Sequence, residues 1–222
     1  MDLSQLEENF KSALSKGDIE NAVTNAIEYC NGCQQVRKYD TAIICLKPLL
    51  IKVEKDKSLR AVVLTALGTA YWEKAQLKKA LEQFEQAFLL FKEMDDKAGK
   101  AAILSIVGLT YWRKCAWDRA LEILEDAINQ RSDKEDRFTS LYGAFERGIS
   151  TLHNRIRLGR ELEQPLKILQ PLFSSSAIYL ITGDIENFKL CLDESEVLAK
   201  ETGQTEILKA ILGVSKLAAK VL

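Results

Sequence analysis

Between residues 61 and 131 the pattern of apolar and polar positions occurs twice. AVVLTALGTAYWEKAQLKKALEQFEQAF is followed by AAILSIVGLTYWRKCAWDRALEILEDAI. Gly68 recurs as Gly108, Tyr71-Trp72 as Tyr111-Trp112, Ala80-Leu81 as Ala120-Leu121 and Ala87 as Ala127, each 40 positions on. Each copy opens with a helix almost free of charge, 61–72 or 101–112, turns at 73–76 or 113–116, and continues as an amphipathic helix, 77–93 or 117–131. In the first helix Leu64, Leu67, Gly68 and Tyr71 share one face. A glycine inside a helix costs roughly 1 kcal/mol against alanine, so its recurrence implies a close backbone approach there. In the partner helix Ala80 and Ala87 flank Phe84, with Leu124 in that place in the second copy. Two helices joined by so short a turn are antiparallel. One such pair cannot bury its apolar face alone, whereas about three stacked pairs can.

The flanks read as helices of less regular pattern. Leu3, Leu6, Phe10 and Ala13 form the stripe of a helix over 3–15, with Ser4 and Glu7 spaced as a capping box. Residues 19–36 give a second helix, and Tyr39-Asp40 opens a third that carries Pro48 within it, where a kink is expected. These two resemble a degenerate copy of the unit, Ala42 standing 38 positions before Ala80. The segments 94–100 and 131–137 read as polar linkers. Residues 135–170 fit either one continuous helix or a degenerate pair turning at Gly148-Ile149-Ser150. Residues 172–181 and 184–201 form a further pair, and 205–222 an amphipathic last helix that caps the stack, extends beyond it or covers its groove. The pentapeptide GDIEN occurs at 17–21 and 183–187, which fits repeat ancestry or a shared helix-starting turn.

The run Leu64-x-x-Leu67-Gly68-x-x-Tyr71, Ala80, Phe84, Ala87, and its copy Leu104, Val107, Gly108, Tyr111, Ala120, Leu124, Ala127, resembles the tetratricopeptide repeat. The period is longer than the usual ~34 residues, the excess falling at 94–100. In this it is similar to the branch that includes kinesin-light-chain-like and LGN-like scaffolds. The resemblance implies an all-α, right-handed superhelical solenoid of antiparallel helix pairs, with degenerate terminal repeats and a C-terminal capping helix. The organisation expected is one domain over 1–222: N-terminal helices with a degenerate repeat at 1–55, two clear repeats at 60–131, degenerate repeats at 135–203 and the capping helix at 205–222.

The resemblance also implies where a partner would sit. Val62, Thr65, Ala66, Thr69, Trp72 and Glu73, with Ala102, Ser105, Ile106, Leu109, Trp112 and Arg113, occupy the positions that line the family's concave groove. A weakly polar groove with two tryptophans suits an amphipathic helix or an extended apolar peptide. The alternative is that the tryptophans only pack between neighbouring repeats. Thr69 and Leu109 stand where the asparagine of a carboxylate clamp is expected, so binding of a chaperone tail in that manner is not implied.

Charge and chemistry narrow the function further. Lys+Arg number 31 against Asp+Glu 32, which provides no positive field for nucleic acid or an anionic membrane. No charge-free stretch is long enough for a membrane span. The N-terminus is acidic and amphipathic, unlike a secretory signal. Five cysteines, an odd number scattered over helical positions, read as reduced thiols of the cytoplasm or an equivalent compartment such as the stroma. Cys30-x-x-Cys33 lies on the apolar stripe of its helix and reads as core rather than metal or redox site. His153, Arg157 and Arg160 share a face that suits an acidic segment or phosphate, or is simply solvated. There is no Ser/His/Asp grouping, glycine-rich phosphate loop or paired metal motif, so neither catalysis, a metal nor a cofactor is expected. The expected function is a non-catalytic protein–protein interaction module, a scaffold, assembly factor or regulator. Its partner would be another protein, presenting a helix or peptide. The alternatives are a homo-oligomeric subunit assembling through the groove or last helix and, more remotely, a nucleic-acid-binding repeat protein.

Overall fold

The computed structural model describes residues 2–130 and 136–221. It is all-helical among these residues: α1 (Leu3–Ser15), α2 (Ile19–Gln35), α3 (Tyr39–Lys52), α4 (Lys57–Glu73), α5 (Leu77–Glu93), α6 (Lys97–Arg113), α7 (Trp117–Asn129), a 3-10 turn η1 (Asp136–Phe138), α8 (Thr139–Glu161), α9 (Pro165–Thr182), α10 (Ile185–Glu201) and α11 (Thr205–Val221). The chain divides into two compact units. One comprises residues 1–103 and 130–144, the other 104–129 and 145–222.

In the first unit α2 pairs with α3, and α4 with α5. The close approach expected at Gly68 is present: a Cβ there would lie 2.5 Å from the buried Phe84 ring. Thirty-eight positions earlier Cys30 stands in the place of Gly68 and Leu46 in that of Phe84; both are buried, so a small residue again faces a large one. The helix starts differ from expectation. Asp56 and Asp96 each act as N-cap, their carboxylates accepting from Leu59 N–H and Gly99 N–H at 2.9 Å. This draws the first helix of each clear repeat four residues earlier, to Lys57 and Lys97. Only 94–96 is left as linker, so the excess over the common period lies in helix length. Likewise Asp2, not Ser4, caps α1, its side chain accepting from Ser4 N–H.

The second unit repeats the scheme with substitutions. A Cβ on Gly108 would meet the buried Leu124 at 2.3 Å, as α6 crosses α7. α9 and α10 form a further pair. Sixty-eight positions after Gly108 stands the buried Ser176, and Phe188 fills the place of Ala120. α8 is one continuous helix through Gly148, which settles the open alternative for 139–161. The last helix packs against α7, α9 and α10. A Cβ on Gly213 would lie 2.6 Å from Leu121, and Lys220 pairs with Glu125.

The turns show which likenesses matter. Ala75 and Cys115, 40 positions apart, both adopt positive φ, 61° and 56°. In each case the following N–H reaches back over the turn: Gln76 to the Tyr71 carbonyl at 2.9 Å, Ala116 to that of Tyr111 at 3.1 Å. Lys38 reaches Cys33, and Asp184 reaches Tyr179, in the same way. The two GDIEN copies also fold alike, with Gly17 and Gly183 at φ 73° and 79°, and Asp18 and Asp184 accepting from Asn21 and Asn187 N–H. Both copies lie at the turn between two packed helices, α1 with α2 and α9 with α10. The same capping geometry at both turns makes the pentapeptide a helix-starting device.

After the segment 131–135, the first unit is completed by η1. Arg137 donates to both Asp96 oxygens, one at 3.0 Å, and its guanidinium lies over the Phe138 ring, 4.7 Å from the centroid. Burial works to raise the Asp96 carboxyl, but the Arg137 and Gly99 hydrogen bonds outweigh it and hold it below its ordinary value. A depressed carboxyl contributes stability above its unfolded value of about 3.9, and that contribution is lost as pH falls through the lower folded value. Asp96→Asn is therefore expected to lower stability at neutral pH by about 1–3 kcal/mol. It is also expected to shrink the further loss between pH 5 and pH 2, as read by urea unfolding across that range.

Candidate functional site

The expected groove residues lie on α4 and α6. On α4 the packing stripe Leu64, Leu67, Gly68 and Tyr71 is buried, as expected, but so is every other residue from Ala61 to Trp72. The reason is that α4 has neighbours on several sides. Within its unit it touches α2, α3 and α5, and also η1, which brings Phe138 against Phe91 with ring centroids 5.7 Å apart. Ser140, at the start of α8, donates to Gln34 Oε1 at 3.1 Å on α2. Residues 136–144 thus rest on the first-helix side of this unit.

The two threonine hydroxyls in this interior are satisfied within their helix. Thr65 Oγ1 donates to the Ala61 carbonyl and Thr69 Oγ1 to that of Thr65, both at 2.8 Å, so both hydroxyls tolerate burial. Val62, Ala66 and Trp72 are buried beside them, Trp72 at 6% exposure, and Glu73 is half-exposed. Ala102 is also buried.

The α6 positions of the second unit tell a sharper story. Ser105, Ile106, Leu109 and Trp112 are buried, while Arg113 is exposed. The Trp112 ring, 3% exposed, packs on Phe173 of α9 at 4.6 Å and on Trp117 of α7 at 5.3 Å, and those two lie 5.4 Å apart. This triangle is apolar. Trp112 Nε1–H is buried in it without a hydrogen-bond partner. Leaving a buried donor unmade costs about 1–3 kcal/mol, and most native donors avoid it.

Ten of the twelve groove candidates are therefore interior, leaving Glu73 and Arg113 at the surface. Trp117 and Phe173 were missed by sequence reasoning. Trp117 was visible as a departure, since the first repeat has Leu77 in its place. Phe173 carries no periodic signal pointing to Trp112.

The other candidates have partners. The His153 ring Nε2 shares a 2.8 Å hydrogen bond with the Tyr179 hydroxyl. Arg157 pairs with Glu161 at 2.6 Å, and Arg160 with both carboxylate oxygens of Glu194 at 2.7 Å. Cys30 and Cys33 are buried on α2. No helix among the described residues is long and apolar enough to cross a membrane.

Residues 59–133 match the family model of the tetratricopeptide repeat. No curated protein matches the chain. Among solved structures, the crystal structure of BtubC (BKLC) from P. vanneervenii superposes with a TM-score of 0.54 at 15% identity, over 90% of this chain and 91% of that one. A putative kinesin light chain from Podosopora anserina, with nearly identical TPR-like repeats, gives a TM-score of 0.44 at 17% identity, over 80% and 94% of the two chains. The TPR2AB domain of yeast Sti1, in a pHSP90 complex, gives 0.29 at 14% identity, with 98% of each chain covered.

Proposed function

We propose that this chain, whose residues 59–133 belong to the tetratricopeptide repeat family, is a non-catalytic protein–protein interaction module. Its first-helix surfaces receive a helix or apolar peptide of a partner protein. In the first unit the surface is that of Val62, Thr65, Ala66, Thr69, Trp72 and Glu73 on α4, with Ala102. In the second it is that of Ser105, Ile106, Leu109, Trp112 and Arg113 on α6. The observation that carries the reading is the buried Trp112 indole N–H with no acceptor. An indole N–H for which the chain supplies no acceptor favours a segment that brings a carbonyl to it. The chain's own residues cover these positions, so binding replaces internal contacts and is accompanied by local opening.

The test uses the two members already at the surface. A photo-crosslinking residue at position 113 or 73 is expected to capture one protein, through a single amphipathic or apolar segment. The same residue at position 89, where Leu89 is exposed on α5, is expected to capture none. Crosslinks from 113 only to a second copy of this chain would replace the reading by that of a homo-oligomeric subunit. Equal capture at 89 would remove it.

A further inference from the structure

The second helices of the pairs, α3, α5, α7 and α10, each turn one face away from the helices they pack on. In repeat register, positions 44, 82, 122 and 190 of these faces correspond, as do 51, 89, 129 and 197. The clear repeats hold Glu82 with Leu89 and Glu122 with Asn129 there, so polar residues break each face. The first and last pairs differ. α3 carries Ile44 and Ile51, 70% and 78% exposed, and α10 carries Leu190 and Val197, 62% and 54% exposed. Single exposed apolar residues are ordinary. Here two stand seven positions apart, two turns along one helix face, and the same two places are apolar in both pairs. Packing within the chain does not use them, since the inward faces are formed by residues such as Leu46 and Leu49 on α3 and Phe188 and Leu192 on α10. Between the two apolar residues each helix sets one exposed charge at the same register place, Lys47 on α3 and Asp193 on α10. The neighbouring Glu194 is already paired with Arg160. The clear repeats place Glu85 and Glu125 there, so Lys47 is a reversal of charge.

We propose that the outward face of α3 in one copy of this chain docks on the outward face of α10 in a second copy. Ile44 and Ile51 meet Leu190 and Val197, and Lys47 faces Asp193 between them. The charges choose this pairing. Two α3 faces would bring Lys47 towards its own counterpart, and two α10 faces would do the same for Asp193. Like charges at a contact cost affinity, whereas α3 on α10 is matched at both its apolar and its charged places. The faces of α5 and α7 offer α3 an acidic residue but not the two apolar contacts. Because the two docking faces differ, each copy keeps one for each neighbour. A single helix face against another falls in the small class of interfaces, below about 1,200 Å², so association is weak and rises with concentration. No residue of the α4 and α6 surfaces proposed above takes part.

The experiment is sedimentation velocity of the full chain in reductant, so that no disulfide joins copies, with protein concentration as the variable. The weight-average mass of the unmodified chain is expected to rise with concentration. Ile44→Gln with Ile51→Gln, and separately Leu190→Gln with Val197→Gln, are each expected to weaken association at least about tenfold. These side chains are exposed, so both variants stay folded, which circular dichroism checks. An equal mixture of the two variants keeps one intact α10 face and one intact α3 face, and is expected to form a dimer and nothing larger. Lys47→Glu and Asp193→Lys are each expected to weaken association about tenfold or more, and the chain carrying both is expected to recover it. A mass that stays at the monomer at every concentration would overturn the proposal. So would association lost in only one of the two apolar variants, a mixture that forms no dimer, or a double charge reversal no better than the single ones.

Discussion

Phe84→Ala is expected to destabilise the protein by about 3–5 kcal/mol, the range for removing a fully buried aromatic side chain. Phe84 is 0% exposed and lies between Ala80 and Ala87 on α5, directly over the Gly68 backbone. That backbone approaches so closely because Gly68 has no Cβ. Gly68→Ala is therefore also expected to destabilise, by about 1–3 kcal/mol, although alanine favours a helix over glycine by about 1 kcal/mol. The new methyl would sit 2.5 Å from the fully buried Phe84 ring, so something there must shift. The two substitutions share one contact, so their effects do not add. In the double variant the Gly68 methyl enters the space that the ring vacates. Its loss is expected to fall below the sum of the single losses by about 1–3 kcal/mol. Urea unfolding followed by circular dichroism measures all four forms. Strict additivity would mean that Gly68 is not held by Phe84. Gly108 and Leu124 form the same contact with a different large residue, and Gly108→Ala is expected to behave like Gly68→Ala.

This contact explains what was legible in the sequence and what was not. A glycine in a helix interior, with a large residue between two alanines opposite, leaves few packings open, so the antiparallel pair could be read from residues 61–131 alone. The pair α2 and α3 could be read because Ala42 keeps its place, even though Cys30 stands for glycine. The early helix starts were hidden because Lys97 and Lys100 are polar, and polarity there reads as linker. The capping carboxylate of Asp96, not the hydrophobic pattern, decides that boundary. The state of the groove was not legible at all. Burial of the α4 face depends on neighbours that include η1, which follows some sixty residues later in the chain. Burial of Trp112 depends on Phe173, 61 positions on. Helical periodicity says which residues of one helix share a face. It carries no information on which distant segment returns to cover that face.

Trp112 separates a packing role from a binding role, because it couples a large apolar body to one orphaned polar atom. Trp112→Ala is expected to cost about 3–5 kcal/mol, since it opens a cavity beneath Trp117 and Phe173. Loss of partner capture in that variant would not distinguish lost structure from a lost contact. Trp112→Phe does distinguish them. The substitution keeps an aromatic ring against Phe173 and removes the indole N–H, which has no acceptor in the folded chain. Removing a buried, unmade donor relieves about 1–3 kcal/mol, against a loss of similar size for the smaller ring. The net change in stability is expected to lie within about 1 kcal/mol of zero. A structural tryptophan and a binding tryptophan then predict different things. If the ring only packs, Trp112→Phe leaves capture through position 113 unchanged. If the N–H is held for a partner's carbonyl, capture falls by about tenfold or more, the equivalent of about 1.4 kcal/mol, while urea unfolding barely moves. The second outcome is the one expected, because the chain supplies the indole N–H with no acceptor of its own.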